Sequence, residues 1–254
     1  METSDKPSVH SGAQRVALME ELYRIYGAPS RGPRTFRLHL RYLRKKYAWL
    51  LIVGGAKVLK RTLDILAAVA LFLLLWPLFL VVAVLIKLTD GGPVLFWQTR
   101  VGQYGREFPF PKFRSMVVNA EALKDELLDQ SDHGRSVTFK MKRDPRVTWI
   151  GRIIRKLSID ELPQLWCVLK GDMSLVGPRP PVPREVAEYT LADRRRLDAI
   201  PGLTCIWQVS GRGDIAFDQQ VQLDVQYIES QSLWLDIKLL LQTVPAVLLG
   251  KGAY

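Results

Sequence analysis

The chain has 254 residues, of which 48% are hydrophobic and 24% charged, and this balance excludes a chain that is disordered throughout. Two cysteines are too few for a disulfide scaffold or a CxxC-type zinc site, and three histidines far apart in sequence disfavour a histidine metal centre. The net charge of +11 lies mainly in residues 1–61, which carry 13 Lys and Arg against 4 Asp and Glu, whereas the remainder carries 23 against 21.

The N-terminal quarter is predicted to hold a flexible region followed by a membrane-surface helix. Residues 1–33 form the flexible region, with a short amphipathic helix at 13–26 and a cluster of glycine and proline at 27–33. Residues 34–61 place apolar side chains at helical spacing among arginines and lysines, which predicts a basic amphipathic helix on an anionic lipid surface. A solvated charged face and a nucleic-acid-binding segment are the alternatives, and the apolar run that follows favours lipid.

Residues 65–86 are 22 consecutive residues without a charged side chain, closed by Asp64 and Lys87. About 20 apolar residues are what a membrane-spanning helix needs, and soluble core helices seldom run this long without a polar side. Pro77 lies near the middle, where it removes a helical hydrogen bond and favours a kink. Because Lys and Arg flank both ends and favour the cytoplasmic side, we expect a re-entrant helix over 62–88 that is broken at Pro77. A straight spanning helix is the alternative.

Residues 89–254 are predicted to form the cytoplasmic globular domain. The fold class expected is mixed, mainly α with short β elements, as a single globular domain on a re-entrant membrane helix hairpin with amphipathic interfacial helices. Short strands are predicted at 94–98, 108–113 and 206–209, and a Pro/Gly loop at 172–184. Helices are predicted at 120–130, 150–157, 162–170, 219–230 and 233–249, the last of them lying on the membrane surface.

Asp160 and Glu161 are adjacent carboxylates at the predicted start of a helix. Either Asp160 is the N-cap, with Pro163 in the first turn, or Ser158 is the N-cap and Glu161 closes a capping box. In both arrangements the helix dipole and the free N–H groups favour the ionised form of the pair. An ionised carboxylate can act as a nucleophile or as a magnesium ligand, and ordinary helix capping is the alternative.

Several basic residues are of the kind that binds phosphate, although each is also typical of a surface charge. They are Lys112, Arg114, Arg155 and Arg179, the last in the stiff loop at 177–180. Residues 211–216 match a degenerate dinucleotide-binding pattern, but no βαβ unit of the right size surrounds them, so a Rossmann site is disfavoured. The sequence contains no Walker A motif.

Eight sequence blocks occur in a fixed order along about residues 57–254. They are FWQTRVG at 96–102, KFRSM at 112–116, DPRVT at 144–148, LSIDELPQ at 157–164, KGDMSLVGPRP at 170–180, PGLT at 201–204, WQVSGR at 207–212 and LD at 223–224. In this order they resemble the bacterial sugar transferases, also called monotopic phosphoglycosyl transferases. Two positions depart from that family: Trp76 stands where a serine often precedes the membrane proline, and Cys205 where glycine is common.

The resemblance implies an activity and its partners. The family transfers a sugar 1-phosphate from a UDP-sugar to undecaprenyl phosphate and releases UMP, at the bacterial inner membrane with the catalytic domain on the cytoplasmic face. The WQVSGR block and the chain ending look like members that begin exopolysaccharide synthesis with glucose or galactose 1-phosphate. No nucleic-acid partner is expected, and a homodimer is left open. The competing hypothesis is a non-catalytic membrane adaptor that recruits partners.

The resemblance also implies roles for individual residues. Asp160 is implied to be the nucleophile that forms a covalent aspartyl phosphosugar, and Glu161 to be a ligand of Mg²⁺. Further catalytic residues implied in this way are Lys112, Arg155 and Asp224. Residues implied to bind substrate are Arg114, Arg179, Pro178, Pro180 and Gln164.

Overall fold

The computed structural model describes residues 33–120, 122–123 and 144–249. The chain divides into two compact units, residues 1–55 and 56–254, and the described part of the first is helical from Pro33 onward. The helix predicted at 13–26 lies outside the described residues, and so does most of the one predicted at 120–130.

The first described element is one long helix, α1 (Pro33–Asp90), which covers both the basic segment and the apolar run. Pro77 lies inside it, and the helix continues on both sides of this proline, so the break expected there stays a prediction. Among the described residues, the segment Gly54–Asp90 is the one that is long and apolar enough to cross a membrane.

The remaining described elements are shorter. The strands are β1 (Leu95–Val101), β2 (Glu107–Phe113), β3 (Ser174–Val176) and β4 (Gly202–Thr204). The α-helices are α2 (Trp149–Lys156), α3 (Leu165–Lys170), α4 (Pro183–Ala187), α5 (Ile206–Ser210), α6 (Phe217–Ser230) and α7 (Leu233–Leu249). Short 3₁₀ helices lie at Gln103–Gly105, Ile159–Gln164, Asp193–Asp198 and Arg212–Asp214.

This composition confirms the prediction of a mainly helical fold with short strands. β1 and β2 form an antiparallel hairpin with Leu95 opposite Phe113, and β3 pairs with β4 in parallel. The helix that precedes Gly171 ends there as predicted, because glycine adopts the left-handed φ of 94° that closes α3.

Two of the predicted segments are wrong. Residues 206–209 form part of helix α5 instead of a strand, and the region 172–184 contains β3. The N–H of Val209 and the N–H of Gly211 each donate to the carbonyl four residues earlier, so α5 satisfies its backbone locally. The error arises because an apolar run this short is compatible with either a buried strand or a buried helical turn.

One side of α1 packs on the globular domain along the whole apolar run. Its buried and half-buried positions between 61 and 89 recur every three or four residues, the spacing of one helix side. Near its start Ala68 joins a buried cluster with Phe110, Val168 and Tyr227. Near its end Ile86 joins a second cluster with residues of β2 and α2. Both ends of the apolar run therefore contact the same domain.

Polar contacts fix the start of this packed side. The Arg61 guanidinium donates to the carbonyls of Val168 and Leu169, at 2.6 and 2.9 Å, near the C-terminal end of α3. The Asp64 carboxylate accepts the N–H of Leu175 in β3 at 3.2 Å. These bonds satisfy backbone groups that the short α3 and β3 leave free, and they hold α1 against the elements that carry the site.

Candidate active site

The carboxylate pair lies on the 3₁₀ helix Ile159–Gln164, which leads directly into α3. Ser158 precedes it with a left-handed φ of 54°, a conformation that is costly for a residue other than glycine and is often found at functional sites. Ser158 holds the N-cap position, but its side chain makes no capping hydrogen bond, and its carbonyl accepts the N–H of Glu161 at 3.2 Å. Asp160 is therefore not the N-cap, and the capping box does not form.

A cavity of ≈ 670 Å³ opens beside this helix. The structure brings several predicted site residues to its wall from separate parts of the chain: Lys112 from β2, Arg155 from α2, Arg179 and Pro180 from the loop after β3, and Asp160 with Glu161. Their roles in catalysis stay predictions, but all of these side chains line the same cavity.

Glu161 is held between two cations. Its Oε1 accepts hydrogen bonds from Lys112 Nζ at 3.0 Å and from Arg179 Nη2 at 2.9 Å. Burial by itself would raise the pKa of Glu161, but Arg179 and Lys112 hold this pKa well below its usual range. Glu161 also raises the pKa of Arg179. Burial lowers the pKa of Lys112, while the charge of Glu161 opposes this shift. The three side chains form one hydrogen-bonded cluster in which Glu161 and Arg179 are ionised at neutral pH.

Asp160, unlike Glu161, is buried without a hydrogen-bonded cation from the residues that the structure describes. Its residue is 7% exposed, and no hydrogen bond within the described part of the chain ends on its carboxylate. Burial raises the pKa of Asp160 to about 6, with Glu161 adding to the rise and Lys112 opposing it. Burial therefore outweighs the preference for the ionised form that the helix start was expected to give Asp160. Two neighbouring carboxylates with separated pKa values are typical of a reactive site.

Three arginines at the cavity lack an ion-pair partner among the described side chains. One of them, Arg100 on β1, donates instead to the Pro180 carbonyl and to Gln98. The other two are Arg155, which lies on α2, and Arg212, which begins the 3₁₀ helix Arg212–Asp214 with a φ of 53°. Burial lowers the pKa of Arg212, while the charge of Glu161 opposes this shift. With Lys112 and Arg179 already bound to Glu161, these two guanidinium groups give the carboxylate end of the cavity a positive surplus that suits phosphate.

Sequence reasoning missed Arg212 as a site residue. Its Gly-Arg-Gly motif was weighed only as a dinucleotide pattern, although the WQVSGR block ends on this arginine. Other lining residues that it missed as site residues are Arg100, Arg196, Trp207 and Gln208.

The structure does not bring Arg114, Gln164 or Pro178 to the cavity wall. Arg114 is 7% exposed and pairs with Asp90 at the end of α1, which ties that helix to β2. Gln164 and Pro178 are almost completely buried in the protein interior. Substrate binding by these three residues stays a prediction, and none of them lines the cavity.

Asp224 lies one layer behind the cavity. It is 0% exposed, and its Oδ2 accepts a hydrogen bond from Arg196 Nε at 2.8 Å. Arg196 lines the cavity and also donates to the Tyr189 hydroxyl at 3.1 Å. Asp224 therefore contacts the cavity wall through Arg196, and its catalytic role stays a prediction.

The described residues include no group of three or more His, Cys, Asp and Glu side chains that could hold a metal ion. The adjacent carboxylates at the cavity are Asp160 and Glu161, and the hydrogen bonds from Lys112 and Arg179 to this pair both end on Glu161 Oε1. Magnesium is commonly held by one or two carboxylates, with water and substrate phosphates completing its coordination. The donor set at this cavity fits magnesium bound in that way.

Comparison with known proteins identifies a family and several relatives. The family described as "Bacterial sugar transferase" matches residues 55–250. The chain is 51% identical over 197 residues to the galactosyl transferase CpsE of Streptococcus agalactiae serotype III (strain NEM316), covering 77% of the chain and 43% of that protein. It is 46% identical over 204 residues to the undecaprenyl-phosphate galactose phosphotransferase of Salmonella typhimurium, covering 79% and 42%.

A third relative is closer in length. The chain is 42% identical over 206 residues to the exopolysaccharide production protein ExoY of Rhizobium meliloti, covering 80% of the chain and 90% of that protein. The chain therefore spans less than half the length of the first two relatives and most of the third.

Proposed function

The chain belongs to the bacterial sugar transferase family, and we propose that it transfers a hexose 1-phosphate from a UDP-sugar to undecaprenyl phosphate. Galactose is the first donor sugar to consider, because two of the relatives are named for galactose transfer, and glucose is the second. The proposal rests on one observation: a buried Asp160 stands at the cavity beside a Glu161 that is held by hydrogen bonds from Lys112 and Arg179.

The first step that we propose is attack by Asp160 on the phosphorus that carries the sugar. A carboxylate oxygen of Asp160 forms the new P–O bond, and the bond to the UMP phosphate breaks with its electron pair leaving on UMP. A pKa of about 6 leaves most Asp160 side chains ionised at pH 7, and it makes them more basic than an ordinary carboxylate. The product of this step is a covalent aspartyl phosphosugar.

The second step is attack on the same phosphorus by an oxygen of the lipid phosphate. The bond to Asp160 breaks, its carboxylate is restored, and undecaprenyl diphosphate sugar leaves. Lys112, Arg155 and Arg212 lie where they can neutralise charge on the phosphate oxygens during both steps. Glu161 would hold magnesium, which would add positive charge near the same oxygens.

The packing of α1 supports a shallow membrane position for the enzyme. Its 22-residue apolar run is about 33 Å long as a helix, close to the ~30 Å of a bilayer core. A straight span would carry one end across the membrane, yet both ends contact the same domain. We therefore favour entry and exit on one side, with the catalytic domain on the cytoplasmic surface of the inner membrane.

Labelling of introduced cysteines tests this topology. Val58 and Leu88 flank the apolar run and are 67% and 77% exposed. In a chain whose buried Cys167 and Cys205 are replaced by serine, Val58→Cys and Leu88→Cys should each react with a membrane-impermeant maleimide only after the cytoplasmic side is opened. Labelling of either position in intact cells that expose only the periplasmic side would establish a spanning helix.

A donor screen tests the proposed reaction. The purified full chain should release UMP from UDP-galactose or UDP-glucose in the presence of magnesium and undecaprenyl phosphate, and release with acetamido sugars should be slower. UMP measured by a coupled assay gives the rate, and chromatography of the lipid fraction gives the product. Undecaprenyl phosphate binding without UMP release from any UDP-sugar would favour the membrane adaptor instead.

A further inference from the structure

The cavity that holds the carboxylate pair has a second, apolar end. Its wall there is built from α1 and α7, with contributions from the neighbouring strands: Leu71, Leu175, Leu203, Leu240, Val244, Val247 and Leu248. One continuous space therefore runs from the charged residues around Asp160 to a hydrocarbon-lined end between two helices.

The two helices that form this apolar end are fixed to each other. Lys60 of α1 forms an ion pair with Asp236 of α7, and the Tyr227 hydroxyl donates to the same carboxylate at 2.7 Å. Farther along α7, the hydroxyls of Thr243 and Thr204 are hydrogen-bonded at 2.8 Å. The inner side of α7 is thus held as a wall of the cavity, beside the end of β4.

The outer side of α7 is an exposed apolar stripe. Its members recur every three or four residues and are 44–74% exposed: Trp234, Ile237, Leu241, Val244 and Leu248. The outer side of α1 is apolar as well, with Leu73 and Leu74 more than 70% exposed. Apolar surface of this extent is seldom left in water, and a tryptophan at one end is typical of a membrane boundary.

Val244 and Leu248 belong to both surfaces, because they are members of the exposed stripe and also line the cavity. The apolar end of the cavity is therefore continuous with the surface that faces lipid. A ligand with a hydrocarbon chain can pass from the bilayer into the cavity without its chain crossing water. A nucleotide sugar has no apolar part that would use such an end.

We propose that the isoprenoid chain of the lipid acceptor enters between α1 and α7, so that its phosphate reaches Asp160 from the membrane side. This inference rests on the proposed function and adds the binding path of the second substrate. The two ends of the cavity match the two parts of that substrate: the apolar walls match the chain, and the cations around the carboxylate pair match the phosphate.

Filling the apolar end tests the proposal. Val247 is a half-buried cavity residue, and Val247→Trp adds bulk to the space between the helices. Leu241→Trp is the matched control, because Leu241 lies on the same helix but is 68% exposed and does not line the cavity. Ala246→Leu is a second, smaller filling variant in case Val247→Trp does not fold.

Two measurements separate the half-reactions. The UMP burst from the UDP-sugar without acceptor reports the first step, and transfer to undecaprenyl phosphate or to a ten-carbon isoprenyl phosphate reports the second. Val247→Trp should raise the KM for undecaprenyl phosphate about tenfold or more. The same substitution should change the UMP burst much less. The KM increase should be smaller for the ten-carbon acceptor, and Leu241→Trp should change neither value.

Three results would overturn the proposal: an unchanged KM for undecaprenyl phosphate in both filling variants, an equal increase for both acceptors, or a loss confined to the UMP burst. The last result would assign the apolar end to the donor. Failure of the proposed function itself gives a different result, since the unmodified enzyme would then produce no burst from any UDP-sugar.

Discussion

Asp160→Asn is expected to reduce UMP release about 10⁴-fold or more, the scale on which enzymes lose activity with their nucleophile. The amide has nearly the same shape as the carboxylate, but its neutral oxygen is too weak a nucleophile to displace UMP. Because Asp160 makes no hydrogen bond within the described part of the chain, the exchange breaks no contact there. It also removes a buried carboxylate whose charge is disfavoured by burial, so the fold should be retained.

Two measurements distinguish lost chemistry from lost folding. Mass spectrometry after rapid quenching with donor should find a hexose phosphate on the peptide that contains Asp160 in the unmodified enzyme, and none in the variant. Thermal unfolding should give a similar midpoint for both. Asp198→Asn, at an exposed carboxylate outside the cavity wall, is the matched control and should keep full activity. Wild-type UMP release by Asp160→Asn would assign the nucleophile elsewhere.

Local sequence patterns predicted the larger helices well. The apolar spacing predicted helices at 219–230 and 233–249, and the structure has them at Phe217–Ser230 and Leu233–Leu249. These helices are long enough for the helical spacing of apolar residues to repeat several times, and the same holds for the long apolar run of α1. Helix α5 has five residues and offers less than two turns, so its pattern could not be distinguished from a strand.

The sequence predicted the residues around the carboxylate pair more easily than it predicted which other side chains line the cavity. Sequence blocks identified Lys112 and Arg179 together with the carboxylate pair, and the structure joins both cations to Glu161. A block does not reveal whether a side chain lines the cavity or supports it from behind. Asp224 is buried and hydrogen-bonded to Arg196, 28 residues away in the chain, and only the tertiary structure makes this visible.

The pKa of Asp160 is a second property that the local sequence could not predict. Its position near a helix start predicts a stabilised charge, because the dipole acts within one turn. Burial raises the pKa of the same carboxylate, and cations from β2, α2 and the loop after β3 oppose that rise. These segments are distant in sequence, so the raised pKa of Asp160 follows from the fold and not from the local motif.

Lys112→Gln is expected to lower the rate of the first step about 10²-fold at pH 7, the size of effect seen when one charge-stabilising donor is removed. Lys112 lies beside Glu161 and Asp160, so its loss removes a cation from the phosphate end of the cavity. It also removes the group that holds the pKa of Asp160 down against burial. The first effect lowers the rate at which the ionised enzyme reacts, and the second lowers the fraction of Asp160 that is ionised at neutral pH.

The pH profile of the first step separates these two effects. In the unmodified enzyme, kcat/KM for UMP release should fall as the pH drops through about 6, because protonated Asp160 cannot attack. In Lys112→Gln the midpoint of that fall should move to higher pH, since burial and Glu161 then act on Asp160 with less opposition. Lys170→Gln, at a half-exposed lysine away from the cavity, should leave the profile unchanged. A lower rate with an unshifted midpoint would limit Lys112 to phosphate stabilisation and would contradict its control of the Asp160 charge.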